Sequence, residues 1–247
     1  KPFYKALFTF LSTESRLNMT RPIRFNGEVD SYALNIMRKL QDCPEAEEKL
    51  NKALAAGFNK AVDVYTYFEN DNAVTEYRIA SYQEIAEARS SNKPEWDRRL
   101  KNIDNLQSQG DGIRSAVAIL ASLMVAEHSL FIIDEPEAFL HPPQAKMIGN
   151  DVVAMSEGKQ CFIATHNIDF IKGVIEANSS RVKIIKIDRV GDKGSFNLIS
   201  NESIAEIASD KNLKYTNILD GLFYDEIVLC EDETDCKFCS AILEASI

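Results

Sequence analysis

Apolar positions change period along this chain, and each change marks an element. Lys5 to Ser12 is a short apolar run, read as a buried strand that ends in a turn at Thr13-Glu14-Ser15. Tyr32, Leu34, Ile36, Met37 and Leu40 recur at helical spacing within Val29 to Leu40. Pro44 opens a second helix that runs to Gly57, with Glu45, Glu47 and Glu48 in its first turn. Val62 to Phe68 and Val74 to Ile79 alternate and are rich in β-branched and aromatic residues. With Asn70-Asp71-Asn72 between them, they predict a β-hairpin. Pro94 then starts a polar helix with Trp96, Leu100 and Ile103 along one side.

From Ser108 onward strands and helices alternate. An apolar helix covers Ile113 to Glu127, and a buried strand covers Leu130 to Ile133. A helix follows over Gln144 to Met155, then a strand over Gln160 to Ala164 and a helix over Asn167 to Ala177. Val182 to Ile187 is read as a third strand and Phe196 to Ile199 as an added edge strand. Helices are expected over Ser203 to Ser209 and from Glu233, with a strand at Glu226 to Cys230 between them. This order predicts an α/β layer with a largely parallel sheet, preceded by an insertion of helices and a hairpin over about 29–105.

The net charge of −10 argues against a generally basic nucleic-acid-binding surface, though a local basic groove would be compatible with it. No apolar run is long enough to span a bilayer. Cys43, Cys161, Cys230, Cys236 and Cys239 fit a reduced, cytoplasmic protein, with Cys161 and Cys230 in apolar strand-like runs. Cys236 and Cys239 have the spacing of half a zinc site, but no second Cys/His pair follows. The first residues carry neither an initiator Met nor a signal-peptide pattern, and the last ones stop inside a helical pattern. The expectation is a fragment of a longer protein.

Chemistry concentrates in three segments. Leu130-Phe131-Ile132-Ile133-Asp134-Glu135 is an apolar strand ending in two acids, a Walker B pattern. Such a strand would present both carboxylates at the carboxyl edge of the sheet, where open α/β folds bind ligands. Asp134 would hold Mg²⁺, a cation that takes hard oxygen ligands, and Glu135 would polarise the attacking water. A solvated Asp-Glu-Pro turn would produce the same letters. Thr165-His166-Asn167 follows the next buried strand, so His166 could donate to a γ-phosphate oxygen, although a lone His is more often structural. Ser108-Gln109-Gly110-Asp111-Gly112 precedes the apolar helix. Its glycines and the helix N-terminus would favour an anion, whereas the plainer reading is a glycine-rich helix start capped by Asp111. His128 is read as a residue at a helix C-terminus and His141 as ordering a loop before Pro142-Pro143.

In that order the segments resemble the C-terminal half of ABC-type ATPases, a P-loop NTPase-like fold. The nearest resemblance is to the overcoming-lysogenization-defect (OLD) family, relatives of the SMC ATPases. It covers Ser108 to Ile171 well. By this resemblance Ser108, Gln109, Gly110, Asp111 and Gly112 form the signature motif that touches ATP held by an opposite protomer. The sequence departs there from the common Leu-Ser-Gly-Gly-Gln form. Asp134 becomes the Mg²⁺-associated acid, Glu135 the catalytic acid and His166 the switch histidine, while Glu137 to His141 lies near the D-loop. A Gly-x-x-x-x-Gly-Lys-Ser/Thr phosphate loop is absent from the sequence. In the family it lies N-terminal to the matching region, so this chain alone is expected to hydrolyse ATP poorly or not at all.

Glu226 to Asp235 (EIVLCEDETD) resembles the opening of a TOPRIM domain, with Asp232 where Gly is usual and Cys230 where Val is common. The resemblance makes Glu231 a metal-binding or acid/base residue and Asp235 a further metal ligand. An acidic helix start would look the same. The second acidic cluster, Asp-x-Asp, would lie past Ile247. The organisation implied is an ATPase domain over 1–222, with its motif core at 106–190, and the start of a TOPRIM domain over 223–247. The function implied is the ATP-binding and ATP-hydrolysing half of an ATP-regulated DNA endonuclease in bacterial antiphage defence, of OLD, Gabija or retron type. Its cofactors would be ATP and Mg²⁺, with a divalent metal also at the TOPRIM site. Partners would be a second protomer, DNA and, for a retron effector, a reverse transcriptase and an RNA–DNA hybrid. Two alternatives stand beside it: an SMC-like DNA-repair clamp without nuclease activity, and a regulatory module that binds ATP without turning it over.

Overall fold

The computed structural model describes residues 8–25, 36–70, 72–190, 193–209, 219, 221, 228, 230 and 232–245. The chain divides into two compact units, 1–182 and 183–247.

The first unit is built on a short parallel sheet. Strand β1 (Thr9–Leu11) pairs with β6 (Leu130–Asp134), which pairs with β7 (Gln160–Ala164), in the order β1-β6-β7. The register places Leu11 beside Ile133 and Ile133 beside Ile163, with Phe131 opposite Thr9 and Cys161. Alternation then sends Leu11, Phe131 and Ile133 to one face, where all three are fully buried. Their cover includes the helix α6 (Asp111–Val125), nearly continuously apolar, whose residues Ala116 to Leu123 are buried. On the opposite face Phe10 and Phe162 flank Ile132 and are more than half exposed.

Between β1 and α6 lies the insertion. β2 (Ile23–Phe25), β3 (Ala61–Glu69), β4 (Asn72–Ala80) and β5 (Asp104–Asn105) form an antiparallel sheet with β4 at its centre. The predicted hairpin is β3–β4, with Val62 opposite Ile79, and Asn70 turns the chain at φ 48°. Its helices are α2 (Ile36–Gln41), α3 (Pro44–Phe58), α4 (Tyr82–Ser90) and α5 (Lys93–Asn102). The part of the α2 pattern before Ile36 lies outside the described residues. Apolar periodicity predicts no helix at α4. Its signal was the Ser81–Glu84 capping box, in which the Ser81 N–H donates to Glu84 at 3.0 Å. The insertion shares a core with the parallel sheet: Leu50, Val62 and Tyr77 belong to the same buried cluster as Leu120 and Phe131.

Glu47 on α3, Asp63 on β3 and Arg89 on α4 form a buried group in which one guanidinium serves two carboxylates. Arg89 Nε lies 2.9 Å from Asp63, and Arg89 Nη2 meets Glu47 Oε1. Burial, then the Asp63 charge, push the Glu47 carboxyl up to about 7, against the opposing pull of Arg89. The ordinary value is 4.5. The folded form therefore holds the Glu47 proton more tightly than the unfolded chain does. Its stabilising effect is complete below about pH 4.5 and is lost as the pH rises through about 7. Glu47→Gln should flatten the fall in unfolding free energy across that window, measured by urea denaturation at a series of pH values. An unchanged slope would assign the pH dependence to other groups.

After α6 the chain runs β6, α7 (Pro142–Met155), β7 and α8 (Ile168–Asn178). Helices α7 and α8 approach through glycine. A Cβ on Gly149 would stand 2.3 Å from the Phe170 carbonyl oxygen, and one on Gly173 would stand 1.9 Å from that of Lys146.

In the second unit β8 (Ile185–Val190) pairs with β9 (Lys193–Leu198), followed by α9 (Asn201–Ser209) and, later, α10 (Glu233–Ala245). The third strand expected in a parallel sheet is thus β8 in an antiparallel two-stranded ribbon, Ile187 opposite Phe196. An apolar run specifies a strand but not its neighbour, and the short β8–β9 connection permits only antiparallel pairing. The expected strand Glu226 to Cys230 falls largely outside the described residues. No helix among the described residues is long and apolar enough to cross a membrane.

Candidate functional site

The carboxyl edge of the parallel sheet gathers the acidic and histidine motifs. Asp134 is the last residue of β6, is exposed, and pairs across the sheet with Ala164, the last residue of β7. Glu135 leaves the strand with φ 44°, a left-handed backbone that few residues other than glycine adopt. Its N–H donates to the Ala164 carbonyl at 2.8 Å, extending the ladder by one bond past the strand. His166 stands two residues beyond Ala164. Its Nδ1 lies 3.2 Å from Glu135 Oε1, and both side chains are open to solvent. Asp134, Glu135 and His166 therefore converge where an α/β fold offers its ligand edge.

Two neighbours were not singled out in the sequence. Glu137 is only 5% exposed. Its Oε1 accepts from Thr165 Oγ1 at 2.8 Å and lies 3.8 Å from His166 Nδ1, while its Oε2 has no hydrogen-bond partner. The available signal was a third acid, two residues past Glu135.

The other is Arg16, and here the expected turn at Thr13-Glu14-Ser15 is corrected. The segment is the first turn of helix α1 (Thr13–Met19), capped by Ser12, whose hydroxyl accepts from the Ser15 N–H at 3.2 Å. The helix carries Arg16 inward, where it is fully buried. Its Nη1 donates to the Leu11 carbonyl at 2.9 Å and to the Asp134 carbonyl at 2.5 Å. Nη2 donates to the Glu135 carbonyl at 3.0 Å and to Thr13 Oγ1 at 3.2 Å, and Nε donates to Ser115 Oγ at 2.8 Å. Burial pulls the Arg16 pKa below its ordinary value, and the charges of Asp134, Glu137 and Glu135 oppose that pull.

The Ser108–Gly112 turn starts α6. Ser108 is exposed and donates to the Asn105 carbonyl at 2.7 Å, and Gln109 Nε2 donates to Ser108 Oγ at 3.1 Å. The cap of α6 is Gly110, not Asp111. Asp111 is already helical and pairs with Arg114 at 2.6 Å, a contact that draws its carboxylate along the helix rather than back across its start. The two glycines differ in use. Gly110 has open space where a Cβ would go, whereas a Cβ on Gly112 would stand 2.5 Å from the Phe139 carbonyl oxygen. Gly110 thus leaves room for a ligand, while Gly112 lets α6 seat against the Glu137–His141 loop of its own chain.

The remaining candidates separate from this cluster. His128 lies past the end of α6, in the loop before β6, and its Nδ1 is 2.9 Å from Thr9 Oγ1, joining that loop to β1. This replaces the helix-terminus reading, because α6 stops at Val125 once Ala126 and Glu127 turn toward β6. His141 is the N-cap of α7, and its N–H donates to Gln144 Oε1 at 3.3 Å. Glu231 lies outside the described residues. Asp235 is exposed in the first turn of α10, where Asp232 Oδ1 accepts its N–H at 2.9 Å.

The described cysteines are free thiols. Cys230 is half-buried and hydrogen-bonds with Cys236 and Cys239, contacts that push its thiol up to about 12. Among the described residues no group of three His, Cys, Asp or Glu side chains has the geometry of a metal site.

A family profile described as "AAA domain, putative AbiEii toxin, Type IV TA system" (AAA_21) matches residues 24–171. The chain belongs to this family of ATPase domains. Among solved structures it is similar to an SMC head bound to the C-terminal winged-helix domain of ScpA, at TM-score 0.53 and 11% identity. That likeness covers 80% of this chain and 57% of the SMC head chain. A second similar structure comes from work on ATP-driven dimerization and DNA-stimulated activation of SMC ATPases. It has TM-score 0.46 and 12% identity, and covers 76% of this chain and 97% of that one. No curated protein sequence matches. The protein is an ATPase module of ABC/SMC-like fold.

Proposed function

We propose that this chain is the nucleotide-hydrolysing part of an OLD-family, ATP-regulated DNA endonuclease that acts in bacterial antiphage defence. The observation that carries the ATPase chemistry is the 3.2 Å approach of His166 to Glu135 at the carboxyl edge of the sheet. In this reading Glu135 orients the attacking water and His166 contacts the γ-phosphate. The Ser108–Gly112 turn is presented to ATP held by a second protomer. Phosphoryl transfer asks little covalent work of a protein, so charge placement and water placement are the catalysis.

The donor set at this edge fits Mg²⁺. Asp134 and Glu135 supply hard carboxylate oxygens that reach solvent, and Mg²⁺ sites commonly use one or two carboxylates together with substrate phosphates. Asp134 would hold the ion, which when bound neutralises charge on the phosphates. The chain's own contribution is to hold Asp134 at a strand end and to keep Glu135 and His166 within reach of one nucleotide.

The nuclease half of the reading rests on Glu231 and Asp235 and on their resemblance to a TOPRIM opening. A divalent metal there would activate the hydrolysis of a phosphodiester. The defence setting draws support from the toxin in the family's description. A retron or Gabija system is the narrower form of the same proposal. In the full-length protein, Glu231→Ala should abolish metal-dependent DNA cleavage while ATP binding and turnover stay within about threefold of the parent. Cleavage that survives this change rejects the TOPRIM assignment. The fold likeness to an SMC head favours a second reading, an ATP-operated DNA clamp without nuclease activity. ATP-dependent retention on DNA, with no cleavage by the parent protein under any divalent metal, would select it.

A further inference from the structure

We propose that Arg16 is the positioning residue of the acidic turn, and that it couples the helix carrying Ser108–Gly112 to the Glu135 carboxylate. The inference rests on the ATPase reading of that turn and adds to it a residue that is 118 positions away from Asp134 in sequence.

The backbone of Glu135 is left-handed. For a residue other than glycine this backbone is sparsely populated and persists only where the surroundings over-determine it. Arg16 supplies that determination. Nη1 and Nη2 donate to the carbonyls of Asp134 and Glu135, the two peptide groups on either side of the Glu135 Cα. The first of those peptides is also held by the bond from the Glu135 N–H to Ala164. With both flanking peptide planes fixed, φ and ψ of Glu135 are fixed, and so is the direction in which its side chain leaves the strand. The third arm of the guanidinium, Nε, donates to Ser115 on α6, three residues past Gly112. One rigid planar group thus ties the start of the signature helix to the carboxylate turn. A shift of α6 on engagement of a neighbour would move Ser115, then Arg16, then the two carbonyls.

Only arginine can do this. Its donors diverge in a fixed fork and can reach Ser115, Leu11, Asp134 and Glu135 together, whereas a lysine ammonium is a point donor that cannot span them. Arg16→Lys is therefore the informative variant: it keeps the charge and most of the volume and removes the fork.

In the full-length protein, Arg16→Lys should bind a non-hydrolysable ATP analogue within about threefold of the parent, while kcat falls about 10²-fold, the loss expected from misplacing a reacting group by about 1 Å. Ser115→Ala should lower kcat in the same direction and by less. Amide hydrogen exchange should quicken in peptides covering 131–140 and stay unchanged in those covering α7 and α8. Turnover by Arg16→Lys within about threefold of the parent overturns the proposal. So does a joint fall of binding and kcat with exchange rising throughout the unit, the signature of a residue that only stabilises the fold. If the parent hydrolyses no ATP, the ATPase reading fails by itself. The exchange pattern then decides the role of Arg16, and unchanged exchange at 131–140 overturns it.

Discussion

Glu135→Gln should lower ATP turnover by the full-length protein by about 10²–10⁴-fold, the usual contribution of a positioned general base. The substitution keeps the size and hydrogen-bonding reach of the side chain and removes its ability to take a proton. His166 Nδ1 can still meet the amide oxygen of the substituted side chain across the 3.2 Å now spanned to Glu135. Because the Glu135 side chain is 47% exposed, stability should change by no more than about 0.5 kcal/mol, as for most surface substitutions. Nucleotide affinity should stay close to that of the parent, so ATP-bound complexes should accumulate. Phosphate release and fluorescent-nucleotide binding, measured on the same preparation, check both halves of the expectation. Unchanged phosphate release in a folded, ATP-binding variant would remove Glu135 from the role and leave Glu137, the buried acid 3.8 Å from His166, as the next candidate.

Phe131→Ala should cost about 3–5 kcal/mol of unfolding free energy, the range for truncating a buried aromatic side chain. Phe131 is fully buried in the central strand of the parallel sheet, between Thr9 and Cys161, and Lys159 Nζ lies over its ring at 5.3 Å. Removing the ring loses apolar burial and leaves a cavity that strands held on both sides cannot close. Domains of this size hold only about 5–15 kcal/mol in total, so the variant should be largely unfolded or aggregated at physiological temperature. Ile133→Val, two residues along on the same face, should lose only about 0.5–1.5 kcal/mol and remain soluble enough for urea denaturation. Similar losses for the two variants would mean that this face of β6 is not the centre of the core.

The two substitutions sit four residues apart on one segment and act on different properties. Phe131 faces the helices and Glu135 faces solvent because the strand ends between them. An apolar run followed at once by acids can be recognised in the letters, since a buried strand in an α/β layer must surface at its carboxyl end. The hairpin β3–β4 was legible for the same kind of reason. Alternation with period two, broken by Asn-Asp-Asn, admits one local solution. Helices α3, α5, α6, α7 and α8 followed from their apolar spacing and from prolines at their starts, with ends displaced by a residue or two.

The misreadings share another cause. Arg16 was passed over because an arginine in a polar stretch is ordinarily a solvated residue. Its burial depends on carbonyls at Asp134 and Glu135, which local sequence does not bring near it. Glu47 read as a helix-dipole residue of α3, yet it is a buried partner of Arg89 because β3 and α4 close over it. Gly110 and Gly112 read alike, and only the seating of α6 against Phe139 separates the open one from the packed one.

By itself the sequence determined most of the strands and helices, α1 and α4 excepted, the order of the acidic and histidine motifs, and the edge of the sheet at which those motifs must emerge. These properties are set by periodicities and end signals that span a few residues. Tertiary structure alone decided that Glu137 is buried beside His166 and that one guanidinium holds the turn at Glu135. Those outcomes depend on which surfaces meet after the elements form, and groups 28 to 119 residues apart have no local pattern through which to declare that they will touch.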